Sequence, residues 1–247
     1  MNNKLSEIRA REIIDIFNIN YPFDIFKFCD NLDIRIIEDD YSKDAYLFCE
    51  NGIKCIAINR KITNLNRKKF IIAHELGHYF LHGKEITFAC LNINEVFNRY
   101  QYIDYTERQA NEFASEILLP QKELVNNLPT TTISFDNIEK IARKYEVSLT
   151  FASIKSVENS KTENEVLLYY KDNSLKWFST TSIFVPLPIN SLPPRGSIVE
   201  EFFKNGDVKS YKTNQKYIWN FIDGNVKEEV IIINPREIIV LISKANI

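Results

Sequence analysis

Residues Phe70 to Gly83, FIIAHELGHYFLHG, contain all three histidines of the chain, His74, His78 and His82, and read H-E-x-x-H followed by Leu81-His82. On a helix, residues four apart share a face one turn apart, so the imidazoles of His74 and His78 can reach a single cation. Glu75 falls beside them, where a metal-bound water would stand and where zinc hydrolysis places its general base. Chance accounts poorly for this arrangement, because histidine is scarce here and two of the three fall at that spacing with Glu directly after the first. A catalytic zinc commonly takes three protein ligands and keeps one position open for water, so a third donor is required. His82 does not fit the H-E-x-x-H-x-x-G-x-x-H pattern, which needs a chain-turning glycine and a later histidine. The stronger candidate is Glu107, within TERQANEFASEILLP (106–120). Asn111 follows it by one helical turn, so both can face the histidine helix, Glu107 as carboxylate ligand and Asn111 as a group that orients a ligand.

Two helices must position these residues. Phe70, Ile71, Ile72, Leu76, Phe80 and Leu81 give the histidine segment a wide apolar surface that can seat it in a core with the imidazoles toward a cleft. Gly77 keeps side-chain bulk away between the two ligands, and Gly83 is a natural stop. In the second segment Ala110, Phe113, Ala114, Ile117 and Leu118 form an apolar stripe, Thr106 is the expected N-cap, and Pro120 ends the pattern.

The pair of motifs, KKFIIAHELGHYFLH and ERQANEFASEILLP, resembles the ImmA/IrrE metallopeptidases in order and separation, over roughly residues 5 to 157. Two departures are mild: Gln109 stands where many relatives have a second Glu, and Ile117 where Leu is usual. The resemblance implies an α+β, zincin-like N-terminal domain in which His74, His78 and Glu107 bind zinc and Glu75 is the general base. It further implies a protein substrate, typically a transcriptional repressor of a mobile element or stress response. Two imidazoles and a carboxylate suit zinc. A tyrosine among Tyr79, Tyr100, Tyr102 and Tyr105 could donate to the oxyanion formed during cleavage.

The 247 residues are 45% hydrophobic, enough for a substantial core, and 31 Lys and Arg stand against 33 Asp and Glu. That balance supplies no global attraction for nucleic acid or an acidic membrane. Cys29, Cys49, Cys55 and Cys90 show no CxxC spacing and read as reduced thiols, the N-terminus lacks the apolar run of a signal peptide, and no stretch approaches a membrane span. A cytoplasmic location is expected.

Along the chain, helices are expected over 3–18 and 24–31, and strands over 34–38, 45–49 and 54–59, the last two joined through Glu50-Asn51-Gly52. These strands suggest a small sheet beside the zinc helix. In the resembling family such a sheet borders the substrate cleft, where an extended peptide could pair with its edge. Arg67, Lys68 and Lys69 read as a solvated helix start rather than a phosphate site. The interval 84–105 reads as a lid or an ordinary connection. Residues 136–145 and 148–157 look like the first half of a helix-turn-helix. Acidic and basic residues are four each over 133–160, which favours packing on the zinc domain over reading DNA. Beyond a polar linker at 158–165, short β-like segments over 166–170, 176–178, 183–185, 198–203, 208–211, 230–233 and 238–242 suggest a β-rich or α/β domain. The expected domains are therefore 1–128, 129–160 and 161–247. Two other readings compete with a peptidase: a zinc-containing adaptor that inactivates a repressor by contact, and a DNA-binding regulator using 136–157. Loss of function in Glu75→Gln separates the first from the peptidase, and salt-sensitive, sequence-selective DNA binding would support the second.

Overall fold

The structure, a computed structural model, describes residues 5–50, 52–83, 88–90, 104–162, 165–180, 187–206, 208, 211–214, 218–219, 221–222 and 225–245. By contact the chain divides into two compact units, Met1–Gln121 with Arg143–Ser148, and Lys122–Ala142 with Leu149–Ile247. Among the described residues no helix is long and apolar enough to cross a membrane. Cys29, Cys49 and Cys55 are free thiols.

The first unit contains α1 (Leu5–Ile16), α2 (Ile25–Asn31), β1 (Ile34–Asp39), β2 (Ala45–Glu50), β3 (Ile53–Asn59), α3 (Leu65–Leu81), β4 (Phe88–Cys90) and α4 (Tyr105–Leu118). Its sheet runs β1-β3-β2-β4, with β1 and β3 parallel and the other pairs antiparallel. Alternation along β2 sends Ala45, Leu47 and Cys49 inward, where they join Ile56 and Ile58 of β3 in the core. Helix α3 packs on this sheet and, most extensively, along α4.

Both ends of α3 are fixed locally. Asn64 caps the start, its side chain accepting from the Arg67 amide at 3.0 Å, and Gly83 follows the last turn at φ 120°, a backbone state costly for other residues. The basic run at this start is neutralised rather than presented to a ligand. Arg67 pairs with Asp44 at 2.8 Å, Lys68 with Glu38 at 2.7 Å, and Lys69 with Glu146 at 2.6 Å.

Helix α4 is held by α1 and by Tyr21. Ser6 Oγ donates to Glu112 at 2.5 Å, Arg11 Nε to the buried Glu116 at 2.8 Å, and the Tyr21 hydroxyl to the Ile117 carbonyl at 2.8 Å. Its N-cap is Asp104 rather than Thr106: the Asp104 carboxylate accepts from the Thr106 amide at 2.8 Å. Carboxylates suit that position as hydroxyls do, and starting the helix two residues earlier leaves the apolar stripe unchanged.

In the second unit, α5 (Gln121–Asn127), α6 (Phe135–Tyr145) and α7 (Leu149–Glu158) precede an antiparallel sheet, although α5 begins, and α6 ends, with residues grouped in the first unit. That sheet, ordered β6-β5-β9-β8-β7, comprises β5 (Glu165–Lys171), β6 (Ser174–Thr180), β7 (Tyr211–Asn214), β8 (Val226–Asn234) and β9 (Glu237–Lys244). Asp172 and Asn173, both at positive φ, make the tight turn between β5 and β6. Residues 198–203, expected as a strand, begin helix α8 (Ile198–Asn205). Ser197 caps it, accepting from the Glu200 amide at 3.2 Å, Glu200 pairs with Lys204 at 2.7 Å, and Gly206 ends it at φ 76°. Its apolar residues Ile198, Val199 and Phe202 fit a helical face as well as a buried strand, and the caps decide. The segment 183–185 lies outside the described residues, as do residues 209–210 of the segment 208–211 and most of the interval 84–105.

Candidate metal centre

His74 and His78 project from α3 and Glu107 from the first turn of α4. His74 Nε2 and His78 Nε2 are 3.0 Å apart, Glu107 Oε2 is 3.2 Å from His74 Nε2, and Glu107 Oε1 is 3.4 Å from His78 Nε2. Zinc bonds of about 2.0–2.2 Å place tetrahedral donors roughly 3.3 Å from one another, so these separations fit one small cation. The donor chemistry fits as well, since two imidazoles and a carboxylate make a set that zinc accepts.

The close meeting of the helices is produced by Gly77. A Cβ on that residue would stand 2.9 Å from both Cα and O of Ala110, so only glycine lets α4 approach at this height. Ala110 is three residues beyond Glu107, and this contact therefore sets how near the carboxylate comes to the imidazoles.

Burial and charge act against each other here. Burial raises the Glu107 carboxyl, but its hydrogen bonds to His74 and His78 outweigh that and hold it well below the usual carboxylate range. Burial also pushes His74 down, yet its hydrogen bond to the Glu107 carboxylate and the charges of Glu75 and Glu107 carry it above an ordinary imidazole. His78 is lowered by burial, which its hydrogen bond to Glu107 does not overcome, and the nearby His74 adds to the fall. Glu75 is fully buried next to His74.

The far side of each ring is also engaged. Asn111 Oδ1 lies 2.7 Å from His74 Nδ1, which directs the Nε2 lone pair to the shared point. His78 Nδ1 lies 3.0 Å from His82 Nδ1, and His82 Nε2 lies 3.1 Å from Gln109 Oε1. The structure thus brings His74, Glu75, His78, Glu107 and Asn111 into one place. It adds Gln109, which sequence reasoning noted only as a departure from relatives. The available signal was its place on α4, two residues past Glu107 and two before Asn111.

The tyrosines separate. Tyr79 is buried near Cys49 of β2, and burial raises its phenol. The Tyr105 hydroxyl accepts from Gln109 Nε2 at 3.2 Å. Tyr100 and Tyr102 lie outside the described residues.

Residues 29–156 match the family model of the M78 peptidases, described as the IrrE N-terminal-like domain. The chain is 35% identical over 105 residues to metallopeptidase ImmA of Bacillus subtilis (strain 168), an alignment covering 42% of this chain and 59% of that protein. A Mycobacterium tuberculosis transcriptional regulator has a similar fold, with TM-score 0.58 at 12% identity, covering 97% of this chain and 75% of the regulator. The family match takes in both α3 and α4, with every residue of the centre, and on that ground the chain belongs to the ImmA/IrrE metallopeptidases of the M78 peptidase family.

Proposed function

We propose that this chain is a cytoplasmic zinc-dependent endopeptidase that cuts a specific protein, a transcriptional repressor being the substrate suggested by its family resemblance. The observation that carries this reading is the convergence of His74, His78 and Glu107 within 3.0–3.4 Å beside the buried carboxylate of Glu75. In the proposal the two imidazoles and the carboxylate hold the ion, and Asn111 fixes the ring of His74. A bound zinc supplies a Lewis acid that polarises the scissile carbonyl and acidifies a water. Glu75 takes the proton of the attacking water on a carboxylate oxygen and passes it to the departing amine nitrogen. Burial of Glu75 suits this work, because it keeps bulk water from competing for that proton.

The test uses the full chain and the protein encoded by the neighbouring gene. Wild type is expected to produce discrete fragments that vanish when a chelator is added. Glu75→Gln is expected to retain zinc while cleavage falls at least about 100-fold, the lower range for loss of a general base. Undiminished cleavage by a zinc-loaded Glu75→Gln protein would remove Glu75 from the mechanism.

A further inference from the structure

The hydrogen bonds behind His78 form a continuous run that crosses from one helix to the other. His78 Nδ1 meets His82 Nδ1 at 3.0 Å, His82 Nε2 meets Gln109 Oε1 at 3.1 Å, and Gln109 Nε2 donates to the exposed Tyr105 hydroxyl at 3.2 Å. We infer that His82 and Gln109 are positioning residues that fix the tautomer and ring plane of His78, so that its Nε2 lone pair is aimed at the cation. The inference rests on the reading of His74, His78 and Glu107 as metal ligands.

Counting protons gives each link a direction. A neutral imidazole carries one N–H and one lone pair, so a His78 that binds through Nε2 has its proton on Nδ1. That N–H donates to His82 Nδ1, which must therefore be the acceptor nitrogen of its own ring. The His82 proton then resides on Nε2 and donates to Gln109 Oε1. The Gln109 amide is oriented in turn, with its oxygen toward His82 and its NH2 toward Tyr105. Reversing the first link would put the proton of His78 on Nε2 and abolish its use as a ligand.

The two ligands thus receive equivalent support from different side chains. Behind His74 the acceptor is an amide oxygen, that of Asn111 at 2.7 Å; behind His78 it is an imidazole nitrogen held by a second amide. This equivalence suggests a conservative replacement, because Asn at position 82 can set Oδ1 where Nδ1 of histidine stands. Gln109→Glu likewise keeps an acceptor oxygen facing His82.

Two measurements on the full chain test this. In chelator competition with zinc, His82→Leu is expected to bind about 10–100-fold more weakly than wild type and Gln109→Leu roughly tenfold more weakly, the range found when groups behind metal ligands are removed. His82→Asn and Gln109→Glu are expected to stay within about threefold of wild type, since each keeps the acceptor that orients the ring. The second measurement needs no variant. With only three histidines in the chain, ring 15N spectra of the zinc-loaded wild type resolve each tautomer, and His78 should carry its proton on Nδ1 and His82 on Nε2. A His82 protonated on Nδ1, a His82→Leu protein that binds zinc as tightly as wild type, or a His82→Asn protein as weak as His82→Leu would overturn the inference while leaving the metal centre standing. Wild type that takes up no zinc would overturn the centre itself, and this inference with it.

Discussion

At the scale of single residues, the centre is a contest for protons between two imidazoles and one carboxylate. His74 and His78 present Nε2 atoms 3.0 Å apart, and like charges at that distance oppose each other, so the metal-free pair favours one proton over two. Glu107 raises His74 and burial lowers His78, which puts that proton on His74. The sign for metal binding follows. Zinc requires neutral imidazoles, so affinity should fall as pH drops through the His74 range, which lies above the ordinary imidazole value of about 6.5. An NMR titration of the metal-free protein should find His74 titrating above that value and His78 below it. In Glu107→Gln the His74 titration should move to lower pH, because its main anionic hydrogen-bond partner is gone, and zinc binding should weaken. A His74 titration that does not move would show that Glu107 is not its partner in solution.

The elements explain why three donors from two helices arrive within bonding range of one ion. Helix α3 places His74 and His78 by its own pitch, but the approach of α4 depends on a missing side chain at Gly77. Gly77→Ala would press a methyl group against the Cα and carbonyl oxygen of Ala110, backbone atoms that cannot rotate aside. The expected cost is about 1–3 kcal/mol of stability, the usual penalty for overpacking, together with weaker zinc binding as α4 and Glu107 move away. Denaturant unfolding and chelator competition check the two effects separately, and a variant unchanged in both would mean that this contact does not hold Glu107 in place. Elements also decide the fate of the basic run Arg67-Lys68-Lys69. Each cation has a carboxylate partner, from Asp44, Glu38 and Glu146, so the cluster presents little net charge to a nucleic acid.

Over the whole molecule, the first unit is discontinuous in sequence, since Arg143–Ser148 groups with Met1–Gln121. Within that unit Tyr145 is buried, with its ring 5.5 Å from that of Tyr21, and Glu146 reaches Lys69 on α3. Tyr21 in turn donates to the Ile117 carbonyl near the end of α4, so the returning segment supports the helix that carries Glu107. Tyr145→Ala should therefore lower stability by roughly 3–5 kcal/mol, as for other large aromatic truncations in a core. Saturating zinc should recover part of that loss, because ligand binding to the folded state adds stability. Thermal unfolding with and without zinc measures both, and a variant as stable as wild type would show that this segment is dispensable to the unit.

The residue types and intervals of HELGH and ERQAN already pointed to a group that could hold a metal, because spacing within a helix is set by its pitch and needs no knowledge of the rest of the chain. The apolar patterns around them likewise marked two helices and a small sheet, and a positive-φ glycine marked the end of α3. Where local signals compete, they were less decisive: the apolar stretch at 198–203 fits strand or helix, and its caps, Ser197 and Gly206, carry the distinction. Only the folded chain decided how close α4 comes to α3, that Gln109 rather than solvent lies behind His82, and that Tyr145 belongs with Tyr21. Those facts depend on distances between segments remote in sequence, and such distances are set by close packing of side chains that no single stretch of sequence contains.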